Sequence, residues 1–159
     1  SITLTAAGRA HAVDMVRRHR LIETFLVQVL DYTWDQVHEE AEILEHAVSE
    51  FMIARIADYL GHPDRDPHGD PIPAADGSVE RLTAISLAHL GVGVSASVER
   101  ISDDDPALLQ YFASHGVAHG TIIELTEGAP FSDTVKLVAP EAQLTLGPAA
   151  LDAVWVTPV

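Results

Sequence analysis

The chain of 159 residues contains no cysteine. This absence excludes disulfide bonds, cysteine-ligated zinc, iron–sulfur clusters and thiol nucleophiles, and it fits a reducing cytoplasm. Basic residues are also scarce, since nine Lys and Arg stand against twenty-four Asp and Glu and the formal net charge is −15. Because binding a phosphate backbone requires clustered Lys and Arg, we do not expect these residues to contact nucleic acid themselves.

Long apolar runs are absent as well. No run in the sequence approaches the ~18 residues that would span a bilayer. The first eight residues lack the basic and apolar regions of a signal peptide, so we expect a cytoplasmic protein with no membrane partner. Hydrophobic residues nevertheless make up 47% of the chain, which is typical of a globular fold.

The first half of the sequence predicts helices. Residues 2–5 alternate apolar side chains with Thr, as the end of a strand does, and suggest that the chain continues a longer one. Residues 10–30 contain no Pro or Gly, and their apolar side chains recur at helical spacing. This stretch is therefore predicted to be the first helix. A second helix is expected to run to about residue 60, with Thr33 or Asp35 as its cap.

The second half has the pattern of a small β-barrel. Segment 63–77 carries four prolines and two glycines, so we place a domain boundary at its end. Beyond it, short apolar runs separated by turn residues predict several strands and one short helix. The predicted strands cover 92–101, 121–125, 134–138, 142–146 and 151–156, and the predicted helix covers 106–114. The expected fold class is therefore α then β, with a helical domain followed by a barrel.

The first helix carries a histidine and a carboxylate at helical spacing. His19 and Glu23 are four residues apart and share one face of the first helix with apolar neighbours. Burying such a pair is costly unless a mutual hydrogen bond or a metal ion satisfies it, and both interpretations stay open for this pair taken alone.

The second helix carries a stronger signal. His38, Glu42, Glu45 and His46 fall within an arc of about 100° at the margin of an apolar stripe. A solvated acidic face is the alternative interpretation, but neutral imidazoles mixed with carboxylates favour a divalent-cation site. Nitrogen and oxygen donors without thiolate suit Mn²⁺ or Fe²⁺, and Zn²⁺, Co²⁺ or Ni²⁺ is possible in vitro.

Four stretches together resemble a known family. They are TAAGR at 5–9, RRHRLIE at 17–23, VHEEAEILEH at 37–46 and PHGDPIP at 67–73. Their order and spacing resemble the diphtheria toxin repressor family of metal-dependent transcriptional regulators, manganese transport regulator type. The resemblance implies three parts: residues 1–9 as the remnant of the wing of a winged-helix domain that lies upstream, 10–77 as a helical metal-binding and dimerisation domain, and 78–159 as an SH3-like (FeoA-like) domain.

The resemblance also assigns metal ligands. It places an ancillary site on His19, Glu23 and His38, and a primary site on a second set completed by ligands from the upstream domain: Glu42, Glu45 and His46. Glu at position 42 favours manganese, because iron-responsive members carry Cys there. In iron-type members the SH3-like domain adds ligands, and here Asp104 or Asp105 would supply an oxygen.

One anion site of the family is not expected here. Arg20 is retained, but Asp66 and Asp70 occupy positions where uncharged residues are expected, and their carboxylates would repel an anion. The remaining histidines have no carboxylate at ligand spacing or lie in predicted loops, so they are interpreted as structural or exposed: His11, His62, His68, His89, His115 and His119.

The predicted function is that of the metal-sensing and dimerisation core of a manganese-dependent transcriptional repressor. Such a core would form a homodimer and would reach operator DNA only through the upstream domain. Three alternatives remain at this stage: an iron-dependent regulator of the same family, a carboxylate-bridged di-metal enzyme, and a dimerisation module with a vestigial metal site.

Overall fold

The structure is a computed structural model that describes residues 4–159. The chain divides into two compact units, the first ending at Arg81 and the second running from Leu82 to Val159. The strand end predicted at residues 2–5 lies partly outside the described residues. No helix within residues 4–159 combines the length and apolarity that crossing a membrane requires.

The first unit contains three helices, namely α1 (Ala6–Leu30), α2 (Trp34–Ala47) and α3 (Glu50–Tyr59). The first helix starts earlier than the expected position near residue 10, because the Thr5 hydroxyl accepts a hydrogen bond from the Gly8 amide at 3.0 Å. Thr33 and Gln36 form a capping box at the start of α2, as the sequence predicted for Thr33.

The prediction of one continuous helix to residue 60 is wrong. Val48 adopts an extended conformation with ψ of 132°, which ends α2. The hydroxyl of Ser49 accepts a hydrogen bond from the Met52 amide at 3.2 Å and starts α3. Serine competes for backbone hydrogen bonds in this way, so it favours a cap over a helix interior.

Apolar residues of all three helices form the core of the first unit. These are Leu21, Ile22 and Leu26 of α1, Val37 and Ala41 of α2, Ile53, Ile56 and Ala57 of α3, and Ile72 from the following segment. Arginines of α1 hold that segment in place, because Arg17 donates to the Pro73 carbonyl at 2.8 Å and Arg20 donates to the Pro71 carbonyl. The segment 66–73 is therefore fixed beside α1.

A third arginine joins α1 to the break between α2 and α3. Arg18 donates to the carbonyl of Val48 at 2.8 Å, and it pairs with Asp14 at 2.9 Å and with Glu50. The three-residue connection joins the end of α1 to the start of α2, and the Arg18 contact joins α1 to the end of α2. The two helices are therefore aligned side by side.

The second unit is a six-stranded antiparallel sheet with the order β1-β6-β2-β3-β4-β5. The strands are β1 (Ile85–Ser86), β2 (Ser95–Ile101), β3 (Ile122–Glu127), β4 (Val135–Val138), β5 (Gln143–Leu146) and β6 (Val154–Pro158). Helix α4 (Pro106–Ser114) follows the predicted bounds, and helix α5 is short (Pro148–Asp152). The expected order of a helical domain and then a β domain is confirmed.

Two predicted strands begin too early. Residues 151 and 152 belong to α5, because Pro148 at its first turn favours a helix there, and the strand starts only at Val154. The strand expected from residue 92 starts at Ser95, since Gly93 has φ of +80° and forms a turn. Strand β1, with two residues, was not predicted.

We predict that Ser49→Ala lowers the free energy of unfolding by about 1 kcal/mol, because α3 loses its N-cap acceptor. Ser49→Asp restores an acceptor and is expected to keep the wild-type value. Urea unfolding followed by circular dichroism measures both variants. Equal stability of the two variants would contradict the role of Ser49.

Candidate metal centre

Three ligand-type side chains meet between α1 and α2. His19 and Glu23 stand one turn apart on α1, and His38 faces them from α2. The Nε2 atom of His19 lies 3.0 Å from Glu23 Oε1 and 3.2 Å from His38 Nδ1, and His38 Nδ1 lies 3.2 Å from the same Glu23 oxygen. The three atoms therefore form a nearly regular triangle.

The size of this triangle suits three neighbouring ligands of one metal ion, because its sides of 3.0 to 3.2 Å lie between the octahedral and tetrahedral spacings. Neighbouring ligands at about 2.1 Å from an octahedral ion lie about 3.0 Å apart, whereas tetrahedral ligands at that distance lie about 3.4 Å apart. Two of the donors are imidazole nitrogens and the third is a carboxylate oxygen, a set that suits Mn²⁺ and Fe²⁺. The group qualifies as a candidate metal-binding set on geometry as well as chemistry.

The triangle is closed on one side and open on the other. Glu23 is 1% exposed, and the side chain of His19 is 17% exposed. The His38 side chain is 48% exposed, so it lines the open side. An ion could enter past His38 and would meet a desolvated carboxylate, where charge interactions are stronger than in water.

Glu45 connects the two ligand sets that were predicted as separate sites. Its Oε2 accepts a hydrogen bond from His19 Nδ1 at 2.6 Å, and its Oε1 lies 3.4 Å from His46 Nε2. A carboxylate on the far nitrogen of a ligand histidine fixes the ring orientation and raises its basicity. Glu42 and His46 are exposed on α2, and Glu45 is a member of the second predicted set whose hydrogen bond joins it to the triangle.

Protons occupy part of this site in the metal-free protein. Burial lowers the pKa of His19, but hydrogen bonds and charges of Glu23 and Glu45 outweigh burial and raise it to about 9. Burial raises the pKa of Glu23, yet the hydrogen bond and charge of His19 lower it overall. His19 is thus an imidazolium that donates to two carboxylates, and a cation must displace its proton to bind.

Glu23 has further neighbours on its other side. His68 Nδ1 lies 3.9 Å from Glu23 Oε2, and both residues are 1% exposed. Asp66 is buried nearby, and its pKa is raised to about 7 by burial and by repulsion from Asp70 and Glu23. The sequence predicts a structural or exposed His68, because no spacing rule connects segment 66–70 to α1 across more than forty residues.

Arg20 faces the carboxylates that were expected to exclude an anion. Its Nε lies 3.6 Å from Asp66 Oδ2, and its terminal nitrogen lies 3.4 Å from Asp70 Oδ1. These contacts fit the prediction that no anion binds at Arg20, which itself stays a prediction.

The two aspartates proposed from the SH3-like domain have local roles in the second unit. Asp105 caps α4 and accepts hydrogen bonds from the amides of Ala107 and Leu108 at 3.0 and 3.1 Å. Asp104 accepts a hydrogen bond from the Ser102 hydroxyl at 2.7 Å. Their participation in metal binding stays a prediction.

Both units match known protein families. Residues 5–74 match the family described as the iron dependent repressor, metal binding and dimerisation domain, and residues 85–158 match the FeoA domain. The iron-dependent repressor IdeR of Mycobacterium leprae is 31% identical over 158 residues, which cover 91% of this chain and 68% of that protein. IdeR of Mycobacterium tuberculosis is 32% identical, and the match spans 89% of this chain and half of that protein's length.

Solved structures show the same likeness. A manganese-dependent transcriptional repressor in complex with manganese is 48% identical, with a TM-score of 0.93, and the match covers 99% of this chain and 76% of that chain. The manganese regulator SloR is 31% identical, with a TM-score of 0.79 over 99% of this chain and 73% of that chain.

The chain therefore belongs to the iron-dependent (diphtheria toxin) repressor family, with a metal-binding and dimerisation domain followed by an SH3-like FeoA domain. The predicted resemblance and fold class are confirmed. Its relatives are metal-dependent transcriptional repressors, some manganese-dependent and some iron-dependent.

The raised pKa of His19 gives a testable pH dependence. Its value of about 9 exceeds the ordinary 6.5, so its contribution to stability is full below about pH 6.5 and is lost as the pH rises through 9. In metal-free protein with chelator, the free energy of unfolding should fall from pH 7 to pH 9 by about 2 kcal/mol more in wild type than in His19→Gln.

Urea unfolding at several pH values measures this difference. His62→Gln is the matched control, because His62 is an exposed histidine of the same unit. The control should follow the wild-type curve. Parallel curves for wild type and His19→Gln would contradict the buried imidazolium.

Proposed function

We propose that the first unit is the metal-sensing core of a manganese-dependent transcriptional repressor, and that His19, Glu23 and His38 bind the ion. The observation that supports this most directly is the triangle of ligand atoms with sides of 3.0, 3.2 and 3.2 Å. Mn²⁺ would replace the proton on His19 and join α1 to α2 through three ligands.

Manganese is favoured by the donors together with a similar repressor. The site contains no thiolate, because the chain has no cysteine. Nitrogen and oxygen donors without thiolate suit Mn²⁺ and Fe²⁺. The similar repressor of 48% identity is a complex with manganese. Fe²⁺ is the alternative activator, and Zn²⁺, Co²⁺ or Ni²⁺ could bind in vitro.

The exposed end of α2 would belong to a regulatory site. This end carries Glu42, Glu45 and His46. Because Glu45 also accepts a hydrogen bond from His19, an ion bound at this end would change the position of a ligand of the triangle. We propose that further ligands come from a domain outside this sequence.

Dimerisation would use the exposed face of α3. Phe51, Met52 and Tyr59 fall within an arc of about 100° on that helix, and they are 77, 48 and 71% exposed. Clustered exposed apolar residues are typical of interfaces. The matched family domain is one of metal binding and dimerisation, so we propose that a second copy of this chain covers the face as a symmetric homodimer.

Repression would follow from a shift in population. The ion must bind the DNA-competent arrangement more tightly than the other arrangement, otherwise it shifts nothing. Because its net charge is −15, this chain would not bind operator DNA itself. The contacts with DNA would come from a winged-helix domain outside this sequence. Such a regulator would work in the cytoplasm.

An enzyme is the competing class, because two histidines and one carboxylate on one face also hold ferrous iron in oxygenases. The relatives are repressors, which favours a non-enzymatic role. Oxygen consumption by the Fe²⁺-loaded protein with reductant would support the enzyme instead.

Binding of Mn²⁺ tests the proposal. We predict that His38→Ala and Glu23→Gln weaken Mn²⁺ binding at least about tenfold, because each removes a ligand of the same ion. Isothermal titration calorimetry at neutral pH measures the affinity. His62→Ala removes an exposed histidine and should bind like wild type. Unchanged affinity in His38→Ala and Glu23→Gln would contradict the site.

The dimer has its own test. We predict that Phe51→Glu combined with Tyr59→Glu converts a dimer to a monomer, because charges would be buried without partners. Light scattering coupled to size-exclusion chromatography measures the mass. Phe131→Glu, at another exposed phenylalanine, should leave the dimer intact. A dimer in the double variant would place the interface elsewhere.

A further inference from the structure

We infer that Glu23 binds cations through both carboxylate oxygens, and that its inner oxygen forms a second divalent-cation site with Asp66 and His68. The inference rests on the proposed function, since Glu23 Oε1 is the oxygen that faces His19 and His38. Its other oxygen, Oε2, faces His68 Nδ1 at 3.9 Å.

The geometry of the second site is compact. Ligand atoms of Glu23, Asp66 and His68 all lie within 4.8 Å of one another. Among three ligands of one octahedral ion at about 2.1 Å, at most one pair lies on opposite sides, about 4 Å apart, and the other pairs lie about 3 Å apart, so the three side chains would move closer together on binding. Two oxygens and one imidazole nitrogen form a donor set that suits Mn²⁺ or Fe²⁺.

The surroundings hold these donors in position. Asp66 accepts hydrogen bonds from the amides of His68 and Asp70, each at 2.9 Å. The ring of Trp34 meets the edge of His68 with centroids 5.5 Å apart. Glu23, Asp66 and His68 are 1, 7 and 1% exposed, so little water would compete with them for an ion.

The charge balance of this region favours a cation. Three carboxylates are buried here, namely Glu23, Asp66 and Asp70. The positive groups facing them are His19 on Glu23 and Arg20, whose nitrogens lie 3.6 and 3.4 Å from the two aspartates. Asp66 and Glu23 repel each other, and Asp70 adds to the repulsion on Asp66. A cation bound between Asp66 and Glu23 would offset that repulsion.

Two ions bridged by one carboxylate would couple two parts of the first unit. The first ion would hold α2 to α1, and the second would hold segment 66–68 to α1. Because both ions use Glu23, occupancy of one site orients the shared carboxylate for the other.

The test counts Mn²⁺ ions in the full chain. All variants are made in one parent protein, which carries Glu42→Gln and His46→Ala so that an ion at the exposed end of α2 is not counted. Equilibrium dialysis with elemental analysis gives the stoichiometry, and electron paramagnetic resonance reports whether two ions are coupled. The variants on this parent are His68→Phe, which keeps an aromatic ring against Trp34, and Asp66→Asn, which keeps an acceptor for its amide donors.

We expect the parent to bind one more ion per chain than either variant, with a coupled spectrum that both variants lose. Asp64→Asn, at an exposed aspartate of the same segment, should match the parent. One ion per chain in the parent, unchanged in His68→Phe and Asp66→Asn, overturns the second site and leaves the proposed function standing. A parent that binds no Mn²⁺ contradicts both.

Discussion

The structure of the first unit depends on the buried carboxylate of Glu23. A carboxylate that is 1% exposed is strongly destabilising unless positive or donating groups surround it. His19 and His38 reach one of its oxygens, and His68 lies near the other. Helix α1 supplies the carboxylate, helix α2 and segment 66–70 supply neighbours, and the packing of all three elements is tied to that one charge.

Protonation and metal binding are alternatives at this carboxylate. In the metal-free protein the raised pKa of His19 keeps its ring positively charged between Glu23 and Glu45. A divalent ion would take over that positive charge and add bonds to His38 across the two helices. The metal-bound unit would thus carry one more positive charge beside the two carboxylates and would join α1 to α2 more firmly, which is the property that a sensor requires.

Much of the fold and part of the site could be predicted from the sequence, and the reasons for the failures are physical. The proximity of His19 and Glu23 follows from helix geometry. The family motifs implied that His38 of α2 joins these two residues of α1 in one site. The break at Ser49 was missed because a serine in an apolar helical pattern can either cap or continue it. Only the packed structure decides between the two.

The location of His68 could not be predicted from spacing. Periodicity relates residues within one element, but the distance from His68 to Glu23 depends on how arginines of α1 bind the carbonyls of Pro71 and Pro73. Likewise, the contact of Glu45 with His19 depends on the alignment of α1 with α2. Contacts between elements of this kind require the three-dimensional structure.

The most direct test of the central claim is anomalous scattering from crystals of the chain grown with Mn²⁺. We expect a manganese peak within bonding distance of His19 Nε2, Glu23 Oε1 and His38 Nδ1. Manganese found only at the exposed end of α2, beside Glu42 and His46, would contradict it.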